Sequence, residues 1–134
     1  MKVVYVVAAA LFDPDGKVLL AQRPEGKSMA GLWEFPGGKI EKHERPEEAL
    51  VRELNEELAI TVSETDLYPI TFASHTYDSF HLFMPLYGSM RWMGTPSPSE
   101  GQTLAWVKPE ELHTYRAPAA DIPLFDALVC RSEA

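Results

Sequence analysis

Residues 37–60, GGKIEKHERPEEALVRELNEELAI, carry Glu44, Glu47, Glu48, Glu53, Glu56 and Glu57 within about four helical turns' worth of chain. A surface helix ordinarily alternates such acids with Lys or Arg at i,i+4 spacing, yet Arg52 is the only base between positions 46 and 58. Carboxylates this crowded repel one another unless a cation sits among them. Pro46 has a φ suited to a first helical position, Glu47 and Glu48 face the positive end of the helix dipole, and Leu50, Leu54 and Leu58 recur every four residues. These features predict a helix over 46–58 with one apolar face. At about 100° per residue, Glu53, Glu56 and Glu57 fall beside the leucine stripe, at the margin of the core where a cleft would lie.

Oxygen ligands in this number suit a hard divalent cation, Mg²⁺ or Mn²⁺, which binds through a few carboxylates together with substrate phosphates. Zinc is disfavoured, because Cys130 is the lone cysteine and His43, His75, His81 and His113 show no close Cys/His pairing. Pro36-Gly37-Gly38 allows the backbone to approach a ligand closely, so that a carbonyl of Gly37 or Gly38 can join a coordination shell.

Gly38, Glu44, Arg52-Glu53-Leu54, Glu56-Glu57, Ala59 and Ile60 stand at a spacing that resembles the Nudix box. Ala59 replaces the family's glycine near the end of the box, His43 stands where glycine is frequent, and Arg45 stands where a capping Thr is common. None of these departures removes an acid. The flanking stretches LLAQRPEGKSMAGLWEFPGGKIE (19–41), SEGQTLAW (99–106) and PAADIPL (118–124) are similar to the MutT branch.

The resemblance implies an α/β/α sandwich, a mixed β-sheet between helices with the box as a loop-helix-loop. It also implies a metal shell drawn from Glu53, Glu56, Glu57, Glu100 and a carbonyl of Gly37 or Gly38. Glu53 is the first candidate for general base and Glu100 the second, and Arg52 with Glu44 forms an orienting pair. Ligand-contacting positions fall on Arg23, Ser28, Glu34, Phe35 and Asp121, with Lys39 meeting phosphate charge. Ser28 lies where a relative has histidine, Phe35 is equally a core residue, and Asp121 either meets the base edge or caps the last helix.

The implied reaction is Mg²⁺-dependent hydrolysis of a nucleoside triphosphate to the monophosphate and pyrophosphate, sanitising oxidised purines such as 8-oxo-dGTP. Alternatives are CTP or another pyrimidine triphosphate, ADP-ribose or a dinucleoside polyphosphate. A nucleotide-sensing module without catalysis is a third reading, which the retained acids disfavour.

Composition agrees. A chain of 134 residues with 46% hydrophobic content forms one domain, residues 1–134, with a real core. A formal net charge of −8 argues against a nucleic-acid polymer as partner, whereas a free nucleotide can be brought to an acidic site by Mg²⁺. No stretch is long and apolar enough to span a bilayer, and the single cysteine fits a reducing compartment, so a cytosolic setting is expected. The apolar positions can all be assigned to one core, which favours a monomer.

Along the chain, residues 3–12 read as a buried strand, 13–16 as a turn and 17–22 as its hairpin partner. Further strands are expected at 33–35, 68–76, 81–91 and 104–107, a short helix start at 109–112, and a last helix at 123–130 facing Leu124, Phe125, Leu128 and Val129 inward. Hairpin-linked strands without regular βαβ alternation favour a mixed α/β sandwich over a doubly wound sheet.

Overall fold

The computed structural model describes residues 1–133. Its strands are β1 (Lys2–Leu11), β2 (Val18–Gln22), β3 (Trp33–Glu34), β4 (Gly37–Lys39), β5 (Tyr68–Thr76), β6 (Phe80–Ser89) and β7 (Thr103–Val107), and its helices are α1 (Pro46–Leu58) and α2 (Ile122–Glu133). A mixed four-stranded sheet has the order β4-β1-β6-β5, and β3-β2-β7 forms a second, antiparallel sheet. Short 3₁₀ turns cover Pro109–Thr114 and Ala119–Asp121.

The second half of β1, residues 7–11, is buried on both faces, and its alternation assigns the layers. Val7, Ala9 and Leu11 meet Leu50, Leu54 and Leu58 of α1, while Ala8 and Ala10 meet Met84, Leu86 and Leu124, Phe125 and Leu128 of α2. Helix, sheet and helix are thus stacked as expected. Val129 is only half-buried, so the inward face of α2 is carried by the other three residues.

The expected hairpin between 3–12 and 17–22 is a correction. Asp13 Oδ1 accepts the N–H groups of Asp15 and Lys17, at 2.9 and 2.8 Å, and Gly16 takes φ 83°, so the reversal forms. Pairing stops after the single Phe12–Val18 bridge. Both edges of β1 are already taken, by antiparallel β4 and parallel β6, and β2 diverges to pair with β3 and β7.

Helix α1 begins as predicted at Pro46. Arg45 at its N-cap has no acceptor to offer, and Glu48 reaches back instead to the Arg45 N–H at 2.8 Å, while the Arg45 guanidinium pairs with Glu64 at 2.7 Å. At the other end Ala59 adopts the left-handed conformation, φ 57°, where the resembling family has glycine. That conformation costs an L-residue about 1–2 kcal/mol. Gly37 and Gly38 lie in β4, which runs beside β1 and under α1. None of the described helices is long and apolar enough to cross a membrane.

Candidate active site

Packing α1 over β1 and β4 brings its acidic edge against the two glycines. A Cβ added at Gly38 would fall onto the Glu53 carboxylate, so only glycine leaves room for that group. The Gly37 N–H donates to Glu57 Oε2 at 2.9 Å. Glu53, Glu57 and the Gly37-Gly38 backbone therefore converge on one spot.

Arg52 organises the acids beside it. Its Nε and Nη2 form a fork on Glu44, at 2.8 and 2.9 Å, and Nη2 also donates to the Lys39 carbonyl at 3.1 Å. This pair ties α1 to the loop before it and to β4. The Arg52 bonds, with the Glu41 N–H second, hold the Glu44 carboxyl down to about 2, and Glu44 in turn raises Arg52. Nη1 faces Glu53 at 3.2 Å and Glu56 at 3.4 Å. Glu56 is exposed at the outer end of this group.

Burial pushes the Glu57 carboxyl up to about 8; the Gly37 N–H opposes the shift, and the charges of Glu53, Glu100 and Glu34 add to it. Burial likewise raises Glu53 to about 6, against the pull of Arg52. Among the described residues no three acids are already drawn into one coordination cage, because Glu53 and Glu56 turn to Arg52 and Glu57 turns to the Gly37 N–H. The donor set still fits a hard divalent cation. Its atoms are all oxygens, and the carboxylate charges that add to the effect of burial at Glu57 are what a divalent ion relieves.

A cleft made of adjoining pockets leads away from these acids. Its polar part is lined by Glu57, Glu100, Gly37, Gln22, Gln102 and Lys27. Its more apolar part is lined by Val4, Val6, Tyr77, Phe80, Leu82 and Met84, together with Ser28, Lys39 and Asp121. Arg23 and Glu34 line both parts. Arg23 Nε is enclosed and lies 3.2 Å from Glu34 Oε2, but out of line for a hydrogen bond, so one buried donor has no partner. Burial raises the Glu34 carboxyl, which Arg23 partly offsets.

Asp121 is 5% exposed, and its Oδ2 accepts the Phe35 N–H at 3.3 Å, joining the turn before α2 to the strand carrying Glu34. Burial pushes its carboxyl up to about 7, helped by Glu34 and opposed by the Phe35 N–H and Arg23. Phe35 faces both ways: its ring packs edge-on against Phe125 at 5.4 Å in the core, and the residue also borders the cleft.

All the sequence-expected ligand positions, Arg23, Ser28, Glu34, Phe35, Lys39 and Asp121, thus border one cleft. Sequence reasoning missed its apolar wall, where Tyr77 stacks on Phe80 at 5.1 Å and the Tyr77 hydroxyl accepts the Ala120 N–H at 3.2 Å. It also missed Gln102 and Lys27. His81 lies outside the cleft lining, held between Ser74 and Thr76 hydroxyls at 2.7 Å each.

With these acids, this fold and this cleft in place, the class follows. The chain belongs to the Nudix family: the model of the NUDIX domain matches residues 7–127. It is a MutT-like Nudix hydrolase. It is 43% identical over 131 residues to a CTP pyrophosphohydrolase of Escherichia coli, covering 96% of this chain and 93% of that one. It is 34% identical over 128 residues to an 8-oxo-dGTP diphosphatase of Haemophilus influenzae, covering 96% and 93%. A solved MutT structure, of Aliivibrio salmonicida or Vibrio cholerae, superimposes with a TM-score of 0.81 at 36% identity, over 97% of this chain and 99% of that one.

Proposed function

We propose that the enzyme hydrolyses a nucleoside triphosphate to the monophosphate and pyrophosphate. The observation that carries this reading is a set of adjoining pockets that share Arg23 and Glu34, with oxygen donors in one and an apolar wall with Asp121 in another. Phosphates belong at the acidic end and the base at the apolar end.

Glu53, Glu56, Glu57 and Glu100, with a Gly37 or Gly38 carbonyl, would hold Mg²⁺, and Mn²⁺ could take its place. Such an ion, when bound, neutralises phosphate charge and makes a water easier to deprotonate. Glu53 is the first candidate to accept a proton from the attacking water, its carboxyl lying against Gly38 at the edge of the cluster. Glu100, in the exposed loop facing Glu57, is the second candidate for this step. Arg52 and Glu44 keep Glu53 aimed by fixing α1 against β4. Arg23, which lines both pockets while its Nε faces Glu34 at 3.2 Å, brings positive charge to the nucleotide, Lys39 meets phosphate charge, and Asp121 meets the base edge.

A pyrimidine triphosphate is the first substrate reading, supported by 43% identity to the CTP pyrophosphohydrolase. An oxidised purine triphosphate is the second, supported by the several 8-oxo-dGTP diphosphatases that are 31–35% identical. The proposal places the enzyme in the cytosol as a monomer; the exposed Cys130 thiol suits a reducing compartment. The test is pyrophosphate release from CTP, dCTP, dGTP and 8-oxo-dGTP, with and without Mg²⁺, beside Glu53→Gln. Mg²⁺-dependent release that collapses in the variant supports the reading. Nucleotide binding without cleavage refutes it and leaves a sensor.

A further inference from the structure

The last turn of α1 leaves carbonyls without helical partners, and this helix has no basic residue there to meet them. The segment 97–102 meets them instead. Ser97 N–H donates to the Leu58 carbonyl at 2.9 Å, Ser99 N–H to the Glu57 carbonyl at 3.1 Å, and Gln102 Nε2 to the same Glu57 carbonyl at 3.0 Å. The other end of the Gln102 amide is also engaged, for its Oε1 accepts the Glu100 N–H at 2.9 Å. One planar group therefore spans the backbone of Glu57 and the backbone of Glu100. Gln102 is half-buried and lines the polar end of the cleft with both residues, whereas Glu100 itself is exposed on a loop.

We propose that Gln102 is a positioning residue that fixes the Glu100 loop to the end of α1, so that the Glu100 and Glu57 carboxylates are presented to one divalent cation. An exposed loop glutamate samples many rotamers, and ordering it at the moment of binding costs affinity. The amide bridge settles the backbone beforehand. It does so without adding charge to a cluster already crowded with carboxylates, which a Glu at this position would do. Asn is one methylene too short to reach both groups. This inference rests on the proposed metal-dependent hydrolysis and on Glu100 belonging to the metal shell.

The test is a double-variant cycle of wild type, Gln102→Met, Glu100→Gln and the combined variant. Mn²⁺ binding without nucleotide is followed by the electron paramagnetic resonance signal of the free ion, and kcat, nucleotide KM and Mg²⁺ half-saturation are measured in parallel. Gln102→Met should weaken Mn²⁺ binding and raise the Mg²⁺ half-saturation about tenfold, leaving nucleotide KM within about twofold. The combined variant should be no weaker in Mn²⁺ binding than Glu100→Gln alone. Losses that multiply, a fall in kcat at unchanged Mg²⁺ half-saturation, or a single variant that leaves Mn²⁺ binding unchanged would each overturn the proposal. Should Gln102→Met melt below assay temperature, Gln102→Asn is read in the same cycle with the same expectation. A wild-type enzyme that cleaves no triphosphate refutes the proposed function, and the Mn²⁺ cycle, which needs no turnover, still decides the role of Gln102.

Discussion

Two adjacent glycines separate stability from chemistry. At Gly38 the three atoms nearest an added Cβ all belong to the Glu53 side chain, its carboxylate first and its Cγ at 3.0 Å. That carboxylate is the far end of a flexible side chain, so it can swing away, and Ala loses less backbone entropy on folding than Gly by about 0.4–1 kcal/mol. Gly38→Ala should therefore melt within a few degrees of wild type. Its activity should not survive, because Glu53 is displaced from its place beside Gly37-Gly38 by the width of a methyl group. A misplacement of that size costs about 10²-fold, and loss of a general base about 10²–10⁴-fold. At Gly37 the added Cβ strikes backbone: the Val7 carbonyl, the Ala8 Cα at 2.8 Å and the Val7 carbonyl carbon at 3.0 Å. Nothing there can rotate aside. Gly37→Ala must part β4 from β1 and should lose about 2–3 kcal/mol. Thermal melts and steady-state hydrolysis of the best substrate, measured on both variants, give the comparison. A Gly38→Ala enzyme with more than a third of wild-type kcat, or one that melts as early as Gly37→Ala, would refute the reasoning.

Arg52→Lys keeps the charge but loses the fork on Glu44; activity should fall about 10–100-fold with little change in melting temperature, and NMR titration should find the Glu44 carboxyl moved up from about 2. Folded Asp121 holds its proton up to about pH 7, whereas unfolded Asp121 loses it near 3.8, so folding takes up a proton between those values. The Asp121 contribution to stability should accordingly fall as pH rises through that window and level off above it, by on the order of 2–4 kcal/mol, so that Asp121→Asn loses less stability than wild type between pH 4 and pH 8 in denaturant titrations, while the loss of the same sign from Glu57, raised to about 8, remains in both. Mg²⁺ at about a hundred times its dissociation constant should stabilise the enzyme by about 2.7 kcal/mol. EDTA removes that gain, and Glu57→Gln should abolish the gain without lowering the metal-free melting temperature, because it removes a buried carboxyl that its neighbours already disfavour.

The parts of the site legible in sequence are those whose signals are local. Pro46, the first-turn acids and the leucine spacing define α1 within thirteen residues, and the helical period alone puts Glu53 and Glu57 at the core margin. The apolar wall was not legible, since Val4 and Val6 of β1, Leu82 and Met84 of β6 and Ala120 before α2 meet only after parallel pairing of residues 78 apart in the chain. No short-range pattern records that register. Tyr77 illustrates the same limit, for it stands between the expected strands 68–76 and 81–91, and its contact with Ala120 depends on where α2 docks. The false hairpin has the converse cause. Asp13 and Gly16 specify a reversal of the chain, and a reversal does not specify that the strands on either side stay paired.

The geometry of Arg52 also sorts the acids of the helix by availability. Its Nε and Nη2 are committed to Glu44 at 2.8 and 2.9 Å, a charge-assisted fork that also tethers Lys39. Only Nη1 remains for Glu53 and Glu56, at 3.2 and 3.4 Å, distances at which a charged pair is loosely held. Glu44 is thus locked as a structural anchor, while Glu53 and Glu56 can be released to a stronger cation without uncovering a buried guanidinium, because the fork on Glu44 stays. Among the described residues Glu57 has no basic side chain in an ion pair with it, and its carboxylate is held by the Gly37 N–H. One arginine among so many acids is therefore enough to fix the helix and too little to neutralise it, and the charge left over lies beside Gly37 and Gly38, where the cleft brings the phosphates.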